Sequence, residues 1–196
     1  MTSGREDDRP ARSTCPTRDE LEAEIDGYER IAPIGSAFYV GAKGLGGGTV
    51  FFDAGTRHEW GRFLEDAAEG WAGTSEDPTS PWSKLADTDV FNSLNASIGS
   101  GLENTYAILR NSSESAAARV ARYSGGGYTD WYLPSQDELN ALYEQSRLVY
   151  GLSAGSYWSS TQQDAYRAVS QDFTDGVQGR YNAKLSRHHL RPLRRF

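Results

Sequence analysis

The histidines and a run of glycines are the residues whose chemistry would be easiest to recognise in this chain. The three histidines are His58, His188 and His189, and a zinc site needs three or four convergent ligands. The adjacent pair would face opposite sides of a strand. The run Gly46–Gly48 lacks the Gly-Lys-Ser/Thr ending of a phosphate-binding loop and precedes a predicted strand, so it favours a tight turn. These residues predict no metal site.

Serine nucleophiles and paired carboxylates are the remaining catalytic options. No Gly-x-Ser-x-Gly nucleophile elbow is present, because Gly99-Ser100-Gly101 has the wrong spacing. Two carboxylates of the kind that glycosidases use could come from any of the 27 Asp and Glu residues, and no pair is singled out. We therefore predict no catalytic residue and no enzyme.

The last segment of the chain has a charge pattern suited to binding. Residues 180–196 contain six Lys or Arg and no Asp or Glu, so the rest of the chain sums to -13 (-7 minus +6). Guanidinium groups bind sulfated and other anionic groups in a bidentate way. Three of these residues belong to the predicted closing strand and should pair with acids of the fold itself: Arg191, Arg194 and Arg195. The three in predicted loop or hairpin positions, which could face an anionic ligand, are Arg180, Lys184 and Arg187.

The elements that would position these residues are predicted from periodicity and caps. Helical spacing of apolar residues occurs at 18–29, at 60–72 and at 102–123, the last broken near residues 111–114 and restarted by a serine cap. Ser135 and Glu138 form a capping box that starts a further helix. Strands are predicted at 35–40, 48–53, 128–133, 157–160, 166–173, 177–183 and 190–196, with a hairpin turn at 174–176. Strands, then helices, then strands indicate an α+β fold.

Composition divides the chain into an arm, a helix and one domain. Residues 1–16 are polar and are predicted to be a flexible or partner-ordered arm. A capping box at Thr17–Glu20 opens an anchoring helix over 17–30, and residues 31–196 form the ligand-binding domain. Cys15 is the only cysteine, so an internal disulfide is excluded. The net charge of -7 argues against nucleic-acid binding, and neither a membrane-spanning run nor a signal peptide is visible.

Three segments of the sequence are familiar in combination. They read GGGTVFF at 46–52, GGYTDWYLPSQDEL at 126–139, and YWSST, QDFTDG and LRPLR between residues 157 and 194. Together they resemble the bacterial family typified by the C-terminal domain of the Legionella collagen-like adhesin, over roughly residues 35–196. The resemblance implies a C-type-lectin-like fold with flanking helices. Members of the family are usually surface or secreted modules, and the named adhesin is a trimer that binds sulfated glycans.

The same resemblance bears on enzymes and on calcium. Formylglycine-generating enzymes share this fold but need active-site cysteines, whereas Cys15 lies in the arm. The Glu-Pro-Asn, Gln-Pro-Asp and Trp-Asn-Asp triplets of calcium-dependent lectins are absent. Asp172 and Asp175 could be calcium ligands, but a hairpin turn at Asp175-Gly176 explains them better. No cofactor is expected, with calcium as the alternative.

Ligand contacts in related variable proteins come from the late part of the fold. By that analogy, the binding residues should lie at 162–166 and 180–188. Tyr166 and Tyr181 could stack on sugar rings, whereas Trp131 and Trp158 should be core residues. The predicted ligand-binding residues are Gln162, Gln163, Asp164, Tyr166, Arg180, Tyr181, Asn182, Lys184, Arg187 and His188.

The sequence thus predicts a non-enzymatic recognition module for a glycan, which could be anionic, or for a protein receptor. It would be extracellular, on a cell surface or on the tip of a phage-like particle. Residues 1–30 would make a homo-oligomer, for which a trimer is one option, or dock the chain to a larger assembly. No nucleic acid and no membrane insertion are expected. The alternative is a structural component whose lectin-like domain packs against neighbouring subunits in a particle.

Overall fold

The protein's computed structural model describes residues 38–196, with the side chains of Arg180 and Tyr181 outside the described part. The predicted arm, the helix at 17–30 and the Thr17 capping box lie outside the described residues. The helices are α1 (Gly101–Asn111), α2 (Ala116–Val120) and α3 (Gln136–Glu144). The strands are β1 (Val50–His58), β2 (Gly61–Asp66), β3 (Thr79–Pro81), β4 (Ser156–Gln162), β5 (Arg167–Asp172), β6 (Gln178–Ala183), β7 (Arg187–His189) and β8 (Leu193–Arg195).

These strands form two sheets. The first has the order β1-β2-β8 and is antiparallel. The second has the order β3-β7-β4-β5-β6 and is antiparallel except for the pairing of β4 with β7. Helices α1 to α3 lie between β3 and β4 in the sequence, so strands and helices do not alternate along the chain. This mixed structure, mostly sheet with few helices, agrees with the predicted α+β class.

Two apolar clusters hold the domain together. One packs α1 and α2 on the five-stranded sheet and contains Trp82 and Trp158. The other packs α3 on the three-stranded sheet and contains Phe51 and Leu64. Burying each such side chain stabilises the fold by roughly 1.5–3 kcal/mol. Trp131 is also buried, so both tryptophans that were predicted to be core residues are core residues.

The start signals of α2 and α3 were predicted correctly. The Ser135 hydroxyl accepts the Glu138 N–H, and the Glu138 carboxylate accepts the Ser135 N–H, which completes the capping box of α3. The predicted helix at 102–123 is broken as expected, and the hydroxyl of Ser115 caps α2 by accepting the Ala118 N–H. The hairpin turn also forms, with Gly176 at φ 84° donating its N–H to Asp172 O.

The helix predicted at 60–72 is wrong, because β2 occupies Gly61–Asp66. Glu65 and Asp66 belong to the polar side of that helical pattern, yet both are buried. Each is neutralised by an arginine that comes from the end of the chain, which the pattern could not show. Gly61, at φ 115°, lies so close to the C-terminal residue that a Cβ would be 2.8 Å from Phe196 O. The helical interpretation failed because β2 is a central strand whose residues are buried on both faces of the sheet.

The other corrections concern strand bounds. Residues 128–133 form a single bridge, between Tyr132 and Leu193, rather than a strand. Residues 38–40 are not a strand, and the closing strand is shortened to Leu193–Arg195. Residues 187–189, predicted as loop or hairpin, form β7 because they pair with β3 on one side and with β4 on the other.

Candidate functional site

The basic segment at the end of the chain is largely used inside the fold. Arg191 is fully buried and its Nε and Nη2 lie 2.9 and 2.7 Å from Asp66 Oδ2. Its Nη1 lies 2.9 Å from Asp77 Oδ1. Burial raises the pKa of Asp66 to about 6, with the Arg191 guanidinium opposing that rise. One guanidinium thus neutralises one of two buried carboxylates and leaves the group with a formal charge of -1.

The next two arginines are also engaged. Arg194 donates from Nε to Asp130 Oδ1 at 2.7 Å and from Nη1 to Glu65 Oε1 at 3.0 Å. Its guanidinium lies 3.6 Å from the centre of the Tyr128 ring, which is the geometry of a cation–π contact. Arg195 bonds Glu103 at 2.8 Å between Nη2 and Oε1. The prediction that these arginines pair with the fold's own acids is confirmed.

Lys184 occupies a turn after β6, as predicted, but its side chain is buried rather than exposed to a ligand. The ammonium donates at 2.7 Å to both Thr88 O and Gln162 Oε1. It also lies 4.9 Å from the centre of the Trp82 ring. Burial lowers the pKa of Lys184 to about 8. In this arrangement Lys184 fixes the loop before α1 and the end of β4.

The other predicted residues of the 180–188 segment are spread over the five-stranded sheet. Arg187 is exposed on β7 and donates to Thr79 O at 2.7 Å. The half-buried ring of His188 lies edge-on to Trp158 at 4.3 Å, and burial lowers its pKa. The amide of Asn182 donates to Ser170 Oγ and to Gly179 O. Arg180 and Tyr181 lie on β6, with side chains outside the described part. Their roles in binding stay predictions.

A cleft of about 1120 Å³ opens where four separate segments meet. They are the turn between β1 and β2, the loop before α1 with the first residues of α1, the turn between β4 and β5, and β8. The cleft is lined by Glu59, Trp60, Asp89, Val90, Phe91, Asn92, Leu94, Asn95, Ser97, Ile98, Gly99, Ser100, Glu103, Asn104, Gln162, Gln163, Asp164 and Arg195.

The loop before α1 is irregular but anchored to β4 by hydrogen bonds. Gln162 Oε1 accepts the Val90 N–H at 2.8 Å, and the backbone N–H of Gln162 donates to Ser93 O at 2.7 Å. Asn92 between these anchors has φ 68°, a left-handed conformation that asparagine tolerates better than most residues. Binding residues are commonly carried on such loops when a rigid scaffold positions them.

The charge of the cleft is negative. Its carboxylates are Glu59, Asp89, Glu103 and Asp164, and its one cation is Arg195. Asp164 is held by Arg167, whose Nη2 lies 2.6 Å from Oδ2, and this bonding lowers the pKa of Asp164. Glu59 and Asp89 are exposed and form no ion pair within residues 38–196.

The surface of the cleft also contains apolar side chains and one unsatisfied acceptor. Phe91 is 83% exposed and Leu94 is 62% exposed, so neither side chain stabilises the domain much by apolar burial. The ring of Trp60 is already stacked on His58, with ring centres 5.4 Å apart. Asn104 is fully buried, and its Oδ1 has no hydrogen-bond partner within the described residues. Buried acceptors normally accept a hydrogen bond, so the donor for Oδ1 is missing from the described residues.

The cleft contains three of the residues predicted from the sequence, Gln162, Gln163 and Asp164. Tyr166 lies two residues beyond them and is 63% exposed. The sequence interpretation missed the loop at 89–99, to which it assigned no element and no binding role. An available signal was the alternation of apolar residues with asparagine and serine in Val90–Ile98, which no regular element explains well.

Within residues 38–196 no group of three or more His, Cys, Asp or Glu residues is arranged to hold a metal ion. Asp172 and Asp175 instead accept backbone N–H groups of their own turn, from Thr174 and Val177. No helix in this described part is long and apolar enough to span a bilayer.

A family model described as the Lcl C-terminal domain matches residues 51–194, which include both sheets and most of the cleft. It is an adhesin-type domain, named for the Legionella collagen-like protein, and is not a known enzyme family. No curated protein matches the chain.

Proposed function

This chain belongs to the Lcl C-terminal domain family, and we propose that it is a non-enzymatic recognition module with a C-type-lectin-like fold. It binds a glycan or a protein receptor in the cleft formed by the loop before α1, the β1–β2 turn and the β4–β5 turn. The family, an adhesin-type domain, supports a binding role. Display on a cell surface or particle tip, through residues 1–30, is part of the same proposal.

One observation carries the choice of site: the cleft combines a large volume with exposed apolar side chains on an anchored loop. Phe91 and Leu94 are exposed although the loop around them is fixed to β4. Ligand sites typically join apolar surface to a few placed polar groups, here the amides and carboxylates around Gln163. The basic segment supports an anionic site less well, because Arg191 and Arg194 are buried and Lys184 is buried with them.

The site is tested by binding with the full chain. Wild type is screened against glycan and peptide arrays, and its hits are repeated with Phe91→Ala. Tyr150→Ala is the matched control, since Tyr150 is 75% exposed and lies outside the cleft lining. We expect Phe91→Ala to lose the hits and Tyr150→Ala to retain them.

A second variant separates the cleft from the site predicted by the sequence. Arg180→Glu combined with Arg187→Glu reverses two basic residues of the predicted anionic site, the exposed Arg187 and Arg180, whose side chain lies outside the described part. If this double variant loses binding and Phe91→Ala keeps it, the binding site lies on the five-stranded sheet and not in the cleft. If no array ligand binds but the full chain co-purifies with a larger assembly, the structural role replaces the recognition role.

A further inference from the structure

We propose that the cleft takes a positively charged side chain, lysine or arginine, that stands beside an apolar residue in a protein ligand. This inference rests on the proposed function, because it assigns the chemistry of a ligand to the same cleft. It goes against the anionic ligand that the basic C-terminal segment suggests.

The first support is charge. The four carboxylates of the cleft lining, with the guanidiniums of Arg195 and of Arg167, which pairs with Asp164, sum to -2 (+2 minus 4). The Arg195 guanidinium is not available to an incoming anion, because its Nη1 donates to Gly99 O at 2.6 Å and its Nη2 bonds Glu103 at 2.8 Å. A cleft lined by one sign of charge concentrates ions of the opposite sign. An anionic group would meet net repulsion there.

The second support is an acceptor that lacks its donor. Asn104 lines the cleft and its amide nitrogen donates to Asn95 O at 2.7 Å and to Ser160 Oγ at 3.3 Å. The Asn95 carbonyl can only accept, so the orientation of the Asn104 amide is fixed and Oδ1 is the unpartnered atom. Lysine and arginine heads have three and five N–H groups and no acceptor. Such a head offers donors to the exposed carboxylates of Glu59 and Asp89, and it reaches the buried Oδ1 only if the lining around Asn104 opens on binding.

The third support is the apolar part of the cleft, which favours a protein ligand over a glycan. Leu94 and Ile98 supply aliphatic surface to the cleft, and Phe91 supplies an exposed aromatic ring. Aliphatic side chains suit the methylene stems of lysine and arginine or a neighbouring apolar residue, and Phe91 can add a cation–π contact. Of the two aromatic rings in the lining, that of Trp60 is already stacked on His58, so sugar stacking would fall to the Phe91 ring alone.

The test uses the full chain and synthetic peptides. Acetylated peptides with a leucine on each side of a central residue are compared when that residue is arginine, lysine, citrulline, norleucine or glutamate. We expect the arginine and lysine peptides to bind at least about tenfold more tightly than the neutral ones, and the difference to shrink with added salt. Glu59→Gln with Asp89→Asn should abolish that preference. Glu76→Gln, which removes an exposed acid outside the cleft lining, should not.

Asn104→Leu tests the buried amide as a whole, because it keeps the branching at Cγ while removing both Oδ1 and the Nδ2 donor that bonds Asn95 O. This variant should bind the arginine peptide more weakly than wild type does. A circular dichroism spectrum like that of wild type would show that the fold is kept. If Asn104→Leu does not fold, the peptide preference of the Glu59→Gln, Asp89→Asn double variant decides the proposal by itself.

The proposal is overturned if neutral peptides bind as tightly as cationic ones, or if no cationic peptide binds up to about 10 mM, above the millimolar range that a few polar contacts support. If a neutral or anionic glycan binds instead and Phe91→Ala removes it, the cleft remains the site and only the cationic ligand is wrong. If Phe91→Ala changes nothing for any ligand, the proposed function fails as well.

Discussion

Replacing Arg191 with methionine tests whether the basic C-terminal segment serves the fold. The guanidinium of Arg191 is the only cation bonded to the buried carboxylates of Asp66 and Asp77 within residues 38–196. Met has a similar length but leaves both carboxylates without a counter-ion. Removing one partner of a buried ion pair typically costs about 3–5 kcal/mol. That cost is a large part of the roughly 5–15 kcal/mol that stabilises a domain.

The assay is urea unfolding followed by tryptophan fluorescence at several pH values. Burial already raises the pKa of Asp66, and loss of the opposing Arg191 guanidinium raises it further above its unfolded value, so the folded variant binds more protons in the acid range. Its free energy of unfolding should therefore fall as pH rises, and its deficit relative to wild type should be largest near pH 7 and smaller near pH 4.5.

Controls separate this charge effect from general damage. Arg187→Met removes an exposed arginine and should change the free energy of unfolding by about 0.5 kcal/mol or less. Adding Asp66→Asn and Asp77→Asn to Arg191→Met should recover part of the loss, because the uncompensated charges are gone. The reasoning is refuted if Arg191→Met costs under about 1 kcal/mol at pH 7, or if its cost is the same at both pH values.

Three further predictions concern buried titratable groups and the cleft loop. Burial raises the pKa of Glu138 to about 7 from an ordinary 4.5, so wild-type stability should fall as pH rises from about 4.5 to 7, and Glu138→Gln should make that slope shallower in chemical unfolding, leaving the part that Asp66 contributes up to about pH 6. Burial lowers the pKa of Lys184 to about 8 from 10.5, so the unfolded chain binds more protons between these values. Stability should therefore rise with pH over that interval in wild type and not in Lys184→Met, and an equal rise in both would contradict the assignment. Asn92 has φ 68°, so Asn92→Gly should be tolerated while Asn92→Val should cost about 1–2 kcal/mol in thermal unfolding.

Local signals explain what the sequence predicted well. The capping box at Ser135 and the serine cap at Ser115 depend on residues three positions apart, so their hydrogen bonds can be inferred without knowing the fold. The turn at Gly176 needs a positive φ, which glycine adopts readily. The family match over residues 51–194 confirms the resemblance based on the three segments.

Long-range pairing explains what the sequence did not predict. Glu65 and Asp66 are buried only because arginines 129 and 125 residues away reach them, and a local pattern counts such acids as exposed. The same pairing removes Arg191 and Arg194 from the surface. The cleft combines residues near 59, 89–104, 162 and 195, so no single segment carries its signature. Gln162 was expected to contact a ligand directly, whereas its buried amide mainly anchors the cleft loop.

Photo-cross-linking of a bound ligand, followed by peptide mapping, tests the central claim most directly. The ligand identified on the arrays is synthesised with a photoreactive group and irradiated with the full chain. We predict cross-links in residues 89–99 and 162–164, which line the cleft, and their loss on competition with unlabelled ligand. Cross-links confined to residues 180–188, on the five-stranded sheet, would contradict the assignment of the cleft as the recognition site.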